Sequence, residues 1–337
     1  MDVQAAESDK EIIELMSPFA TEIPEYVPFS AWHEHAPFAF WLTAALKPAC
    51  FVELGAHNGY SYMAVCQLVK LLGLPTRAYA VDTWEGDDHA SFYGEEVIQN
   101  LRAVHDPKYG AFSRLLRMRF DQALPSFPDA SIDLLHIDGR HGYEDVCEDF
   151  YSWQSKVSTR GVVLFHDTNV RERGFGVWQL WAELKDKYPS FEFLHGHGLG
   201  VLCVGRDVPK SILRLTQLND QQIARIRAFY WSLGSRISEI HLLRNTEADL
   251  WRRFGEANAM IAELQGLQTR SEADLRKLSS DLAQEQQNVV GAMEQTESLA
   301  SQLKLMEQSR SWRFALRLQK IAAAMPAPVR KIVQKML

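Results

Sequence analysis

Between Ala49 and Gly205 the hydrophobic pattern changes period repeatedly, and that alternation restricts the fold more than any other feature of the chain. CFVEL (50–54) is a short apolar run ending at Gly55, which reads as a buried strand. Residues 60–72 then place Tyr60, Met63, Ala64, Cys66, Leu68, Leu71 and Leu72 at helical spacing and stop at Gly73. Further strands are expected in AYAVDTW (78–84), LLRMRF (115–120), SIDLLHID (131–138) and GVVLFHD (161–167), with helices at 142–156 and 175–187. FEFLHG (191–196) and LGVLCVG (199–205) read as a closing hairpin around a glycine-rich turn. Strands alternating with helices make an α/β fold, a doubly wound and mostly parallel sheet covered on both faces. In such a sheet ligands sit beyond the carboxyl ends of the strands, so the residues just after each strand carry the chemistry.

After the first strand comes Glu53-Leu-Gly55-Ala-His57-Asn58-Gly59-Tyr-Ser61. Glycines let backbone approach a ligand closely, and the helix that follows presents free N–H groups. The spacing is G-x-x-x-G and lacks the G-x-G-x-x-G dinucleotide fingerprint, which argues against an NAD or FAD enzyme. Asp82 closes the second strand, where a carboxylate can accept both hydroxyls of a ribose, although a lone Asp there also serves as a turn or helix cap. Trp84 is placed to cover an adenine or the domain edge. Asp121 and Gln122 follow the third strand, near an adenine edge or as the start of a short helix.

The sharpest signal follows strands four and five, in Asp138-Gly-Arg-His141 and His166-Asp167-Thr-Asn169. Neighbouring strand ends lie about 5 Å apart, so these groups converge. Asp138, His166 and Asp167 could bind a divalent cation with positions left open for substrate oxygens. Equally, His141, His166 and Asp138 could act as acid–base groups without a metal, or the imidazoles could be hydrogen-bonded supports. His195 and His197, in the closing turn, either contact substrate or merely shape that turn. The 85–112 insert, with Glu85, Asp87, Asp88, Glu95, Glu96, Phe92 and Tyr93, reads as a lid.

The ends of the chain have a different character. Pro24, Pro28 and Pro37 divide residues 1–47 into short helical pieces. From Leu243 to Met306 apolar residues follow a three-four register interrupted by Gln268, Ser271, Glu285 and Thr296, which reads as a coiled coil. A continuous helix there would run roughly 95 Å at 1.5 Å per residue, and would need partner helices or a fold-back at Gly266 or Gly291. The expected domains are thus 1–47, 48–208, a helical connector 209–239, a coiled coil 240–308 and a basic tail 309–337. Net charge is −7, yet Arg310, Arg313, Arg317, Lys320, Arg330, Lys331 and Lys335 stand in a tail without acids. The acidic remainder argues against nucleic-acid binding. The tail's amphipathic SRSWRFALRLQKI suggests peripheral contact with an anionic membrane, or with a partner protein. No apolar run is long enough to cross a bilayer. Cys50, Cys66, Cys147 and Cys203 are scattered, as free thiols in a cytoplasmic protein would be.

With these residues assembled, residues 28–205 resemble the class I S-adenosylmethionine-dependent methyltransferases. More narrowly, they resemble a bacterial branch associated with glycosyltransferases and surface-polysaccharide biosynthesis. The resemblance lies in SAWHEHAPFAFWL (30–42), VELGAHNGYSY (52–62), YAVDTWEGDDHASFYGEE (79–96), SIDLLHIDGRHGYEDV (131–146) and RGVVLFHDTNVRERGFGVWQLW (160–181). It implies a seven-stranded sheet with a reversed final strand and methyl transfer to a sugar or other small acceptor. It also implies a methionine cradle of Glu53, Gly55, Gly59 and Ser61, with Asp82 on the ribose; His57 and Asn58 of the same loop are expected among the cofactor-binding residues. Trp84, Asp121 and Gln122 would then lie near the adenine, and Asp138 with Asp167 would face the acceptor. Related sugar and catechol-type enzymes hold Mg2+ at this place; His166 beside Asp167 departs from their acidic pair, so a metal-free site stays open. The implied partners are a glycan acceptor, a second copy of the chain and glycosyltransferases. Two other readings remain: an assembly protein whose α/β domain binds cofactor without catalysis, and a metal-dependent hydroxylase on the same fold.

Overall fold

The computed structural model describes residues 12–16, 18–87 and 91–326. The acidic N-terminal stretch, Asp88 of the insert and the final basic segment VRKIVQKML lie outside the described residues. The chain divides into two compact units, Met1–Glu247 and Ala248–Leu337.

The first unit is built on a seven-stranded sheet: β1 (Cys50–Leu54), β2 (Arg77–Asp82), β3 (Ser113–Arg117), β4 (Ile132–Ile137), β5 (Val157–His166), β6 (Ser190–Phe193) and β7 (Leu199–Cys203). Their spatial order is β3-β2-β1-β4-β5-β7-β6. The first five run parallel, and β7 runs antiparallel to both β5 and β6. The chain reverses strand order between β1 and β4, which opens a crevice at their carboxyl ends.

Burial explains the continuous apolar runs. Phe51, Leu134 and Leu164 point to one face and pack against α1 (Ala36–Leu46), α2 (Tyr60–Leu71) and α3 (Glu95–Tyr109). Val52, Leu135 and Val163 point to the other, against α4 (Tyr143–Trp153) and α5 (Val177–Leu184). Alternate residues of one strand therefore belong to different cores, and both must be apolar. A further helix, α6 (Lys210–Leu215), buries Ile212 and Leu215 on the first face.

The third strand sits earlier than its apolar residues suggest. It ends at Arg117 because Phe120–Ala123 turns into a short helix, its N-terminus closed by the Arg119 N–H donating to Gln122 Oε1 at 3.2 Å. Asp121 thus lies inside a helical turn. The insert forms a short antiparallel pair, Gly86–Asp87 with Ser91–Phe92, followed by α3.

The long helix α7 (Asp220–Gln308) begins within the first unit. There Ile226 and Tyr230 are buried, and the Tyr230 hydroxyl donates to the Leu15 carbonyl at 2.6 Å. In the second unit α7 exposes its whole apolar register, Leu275 at 63% and Leu282 at 61%. Ser309 caps the next helix, α8 (Arg310–Ala324), its hydroxyl accepting the Trp312 N–H at 3.1 Å. No helix among the described residues is long and apolar enough to cross a membrane.

Candidate active site

The loop after β1 turns on two glycines in the left-handed region, Gly55 at φ 86° and Gly59 at φ 75°. A Cβ at Gly55 would overlap the Asp138 carbonyl oxygen, and one at Gly59 would overlap Leu101. The β1 loop therefore touches the β4 loop directly. Glu53 is fully buried at the base of this contact, accepting from Ser61 Oγ at 2.8 Å and facing His136 Nδ1 at 2.8 Å. Burial pushes its carboxyl up, against the pull of His136. Register pairs Glu53 directly with His136 across β1 and β4. Nothing in the sequence separated His136 from the apolar residues around it.

Asp82 ties the next loop to the first. One of its oxygens accepts the His57 N–H at 2.8 Å, and the other accepts the Trp84 N–H at 2.7 Å. Burial raises its pKa, while these backbone donors oppose the rise. Two carboxylate oxygens have four lone pairs between them, so Asp82 keeps acceptor capacity beyond its backbone donors. Trp84 is folded inward, 1% exposed, with Nε1 donating to the His57 carbonyl at 2.9 Å. Tyr93, from the insert, stacks on the His57 ring with centroids 4.8 Å apart. Asn58 reaches back to the Phe29 carbonyl at 3.0 Å. Asp121 is exposed and paired with Arg119 Nε at 3.0 Å, while Gln122 accepts the Arg119 N–H at 3.2 Å. The structure thus draws Glu53, Gly55, His57, Gly59, Ser61, Asp82 and Trp84 into one connected set. Asp121 and Gln122 bond locally to Arg119.

Across the β1–β4 crevice lies a denser cluster. His141 Nε2 is 2.8 Å from Asp167 Oδ2 and 3.8 Å from Asp138 Oδ1. His166 Nδ1 sits between the same acids, 3.2 Å from Asp138 Oδ1 and 3.3 Å from Asp167 Oδ2. His166 Nε2 donates to the Gly196 carbonyl at 3.0 Å. With one nitrogen bound to a carbonyl and the other facing two carboxylates, His166 is an imidazolium. Burial opposes that charge, but Asp167 and Asp138 outweigh it and raise its pKa well above the ordinary value. For His141 burial is likewise outweighed by the two carboxylates, and its pKa rises to about 9. Asp138 and Asp167 are held below the usual carboxylate range: burial would raise them, and His166 with His141 prevails.

Backbone geometry builds this cluster. Asp167 has φ 63°, which swings its side chain back over the strand end. The Gly176 N–H donates to the His141 carbonyl at 2.7 Å, and Phe175 stacks on the His141 ring with centroids 4.4 Å apart. In the closing turn the Gly196 carbonyl also accepts from His35 Nε2 at 2.9 Å. His195 is stacked on His35, and burial lowers its pKa to about 4. His197 is 59% exposed, with Nδ1 3.2 Å from Asp167 Oδ1. Asp138, His141 and Asp167 each offer one ligand atom within 4.8 Å of the others, a set that could hold a divalent cation. In that set the imidazole is His141, where the sequence suggested His166.

Residues 52–168 match a protein family described as a methyltransferase domain. A protein of Sinorhizobium fredii (strain NBRC 101917 / NGR234), named uncharacterized protein y4gI, is 47% identical over 237 residues, which are 70% of this chain and 26% of that protein. The chain thus spans about a quarter of that relative's length. Among solved structures, the O-methyltransferase TomG from Streptomyces achromogenes, in complex with SAM, is 13% identical and has a TM-score of 0.40. That match covers 61% of this chain and 91% of TomG. A methyltransferase from Geobacter sulfurreducens is 15% identical with a TM-score of 0.39, covering 60% of this chain and 97% of its own. The segment matched by that family model carries the β1 loop, Asp82, Asp138, His141 and Asp167.

Proposed function

We propose that this chain is an S-adenosylmethionine-dependent O-methyltransferase whose acceptor is a sugar hydroxyl in glycan or polysaccharide biosynthesis. The observation that carries the reading is the contact between the glycine loop and Asp138. It brings a cofactor-type loop and a carboxylate–imidazole cluster to the two lips of one crevice.

The cofactor, when bound, supplies a methyl group activated by a sulfonium. Gly55 and Gly59 permit backbone approach to its methionine end, with Glu53 and Ser61 fixing the loop from beneath. Asp82 accepts the ribose hydroxyls. Asp138 and Asp167 orient the acceptor hydroxyl, a positioning role that supplies much of the catalysis in a displacement of this kind. The hydroxyl proton passes to His141 in its neutral form, the minor form below its pKa of about 9, once the hydroxyl takes the place of Asp167 at Nε2. The neighbouring carboxylates stabilise the imidazolium that results. His166 braces both carboxylates, since its two nitrogens already donate. The alternative is a magnesium ion, which Asp138 and Asp167 would hold with His141 beside them; it would favour the alkoxide form of the acceptor in place of a histidine base.

In the second unit we propose that the exposed register of α7 pairs with a second copy of the chain. Leu250, Leu264, Leu275, Leu278, Leu282 and Leu299 are each more than half exposed, and a helix of this length needs such cover. Light scattering on the intact chain and on Leu275→Asp/Leu282→Asp tests this. A dimer that dissociates in the double variant is expected, and a monomeric parent overturns it. The amphipathic α8, with Arg310, Arg313, Arg317 and Lys320, suits peripheral contact with an anionic bilayer, where glycosyltransferase partners would also act.

Labelled S-adenosylmethionine, incubated with the protein and glycan intermediates of its host, tests the main reading. Label should enter a sugar in an alkali-stable ether. If the protein binds S-adenosylhomocysteine but no sugar is labelled, the glycan acceptor is wrong.

A further inference from the structure

The loop between β5 and α5 carries two arginines, Arg171 and Arg173. Arg171 donates through Nη1 to the Thr168 carbonyl at 3.0 Å, and its guanidinium lies 4.7 Å from the Trp178 ring centroid. Arg173 lies 5.6 Å from the centroid of Phe175, the ring that stacks on His141. Both side chains are exposed, yet each rests against an aromatic face. Exposed long cations usually keep their rotamer freedom, and a stacked guanidinium is pre-organised for a flat anionic partner.

The donor arithmetic points the same way. A guanidinium offers five N–H donors, and the Thr168 carbonyl takes one from Arg171, leaving a fork for a bidentate anion. Thr168 directly follows Asp167, so this fork lies one residue from the cluster. Arg140, exposed and adjacent to His141, adds a third cation to the rim, with Glu172 the acid between the two loop arginines. Within the cluster Asp138 and Asp167 are balanced by His141 and His166. The rim, more than the cluster, therefore sets the sign seen by an arriving acceptor.

We propose that the acceptor carries an anionic group, a phosphate or a carboxylate, which Arg171 and Arg173 bind while its reacting hydroxyl lies at Asp138, His141 and Asp167. The position of the hydroxyl rests on the methyl-transfer reading; the anion site does not. Phe175 then has two functions, holding the His141 ring on one side and Arg173 on the other. Anion recognition and proton handling become parts of one loop.

The test uses the full-length protein saturated with S-adenosylhomocysteine, titrated by calorimetry at low salt with glucose 6-phosphate, glucuronate and glucose. At least one anionic sugar should bind tenfold or more tightly than glucose, and which one identifies phosphate or carboxylate as the group recognised. Arg171→Ala/Arg173→Ala should abolish that preference while keeping the parent's melting temperature and S-adenosylhomocysteine affinity. Equal affinity for all three sugars, no binding of either anionic sugar at millimolar concentration, or a preference that survives in the double variant would each overturn the proposal. If S-adenosylhomocysteine itself does not bind, the methyl-transfer reading fails; the same titration without it still decides the anion site.

Discussion

Two pairs of carboxylates lie at one sheet edge, and their surroundings treat them in opposite ways. Glu53 and Asp82 are raised by burial, and Asp82 is satisfied by backbone N–H groups. Asp167 is buried and the Asp138 side chain 20% exposed, and both face imidazoliums, which hold them low. In the first pair Asp82 is bound by backbone N–H groups, which cannot change charge, and Glu53 by the Ser61 hydroxyl and a single imidazole, His136. The second is bound to two imidazoles, His141 and His166, whose pKa the same acids raise, that of His141 to about 9. Carboxylates of the first kind hold loops in shape, whereas those of the second can exchange a partner for a substrate hydroxyl or a cation. The division of labour follows from the partners: backbone N–H groups fix Asp82, whereas two imidazoles share Asp138 and Asp167.

The largest expected effect comes from breaking the second pair. Asp138→Asn should lower methyl transfer by about 100-fold or more, the usual scale for a lost acid–base or positioning group. Its S-adenosylhomocysteine affinity should stay within about threefold of the parent, a difference of under ~1 kcal/mol. Equal losses of transfer and cofactor affinity would erase the contrast between the pairs. Next is Asp82→Ala, which removes the anchor of two backbone donors together with the ribose acceptor. Cofactor affinity should fall by at least about tenfold, roughly 1.4 kcal/mol, the scale of one hydrogen bond to a charged group. Phe175→Ala is milder: it frees the His141 ring and should reduce kcat by about tenfold, with the cofactor KM unmoved.

The smallest effect concerns Asp149 on α4, beside Gly139. Burial, with Asp145 and Glu148, raises its carboxyl to about 7. A folded pKa above the unfolded value of about 3.9 means that the folded state holds its proton longer. Stability should therefore fall as pH rises from about 4 to about 7 and level off above. Asp149→Asn should flatten that slope in thermal melts. An identical slope in parent and variant would show that Asp149 ionises normally.

The sheet was legible because buried parallel strands must be apolar on both faces, so CFVEL and GVVLF could hardly be anything else. The strand-end acids were legible for the complementary reason, that a charge closing an apolar run needs a partner. The identity of those partners was not. His136 is a strand residue of β4 whose partner, Glu53, is 83 positions away. His166 and His141 are equal candidates by sequence. They are distinguished by the Gly196 carbonyl, which comes from a hairpin 30 residues downstream and occupies His166 Nε2. Trp84 looked available to an adenine, but its φ of 54° turns the ring inward to the His57 carbonyl. Each of these outcomes depends on backbone atoms brought together by chain crossings, which carry no side-chain signature.

The central claim is that this edge binds S-adenosylmethionine on one side and handles a proton on the other. Calorimetric titration with S-adenosylhomocysteine of the parent, Asp82→Ala and Asp138→Asn tests it most directly. The account predicts binding of micromolar order in the parent, at least tenfold weaker binding in Asp82→Ala, and near-parent binding in Asp138→Asn. A parent that does not bind, or an Asp82→Ala variant that binds as the parent does, would contradict it.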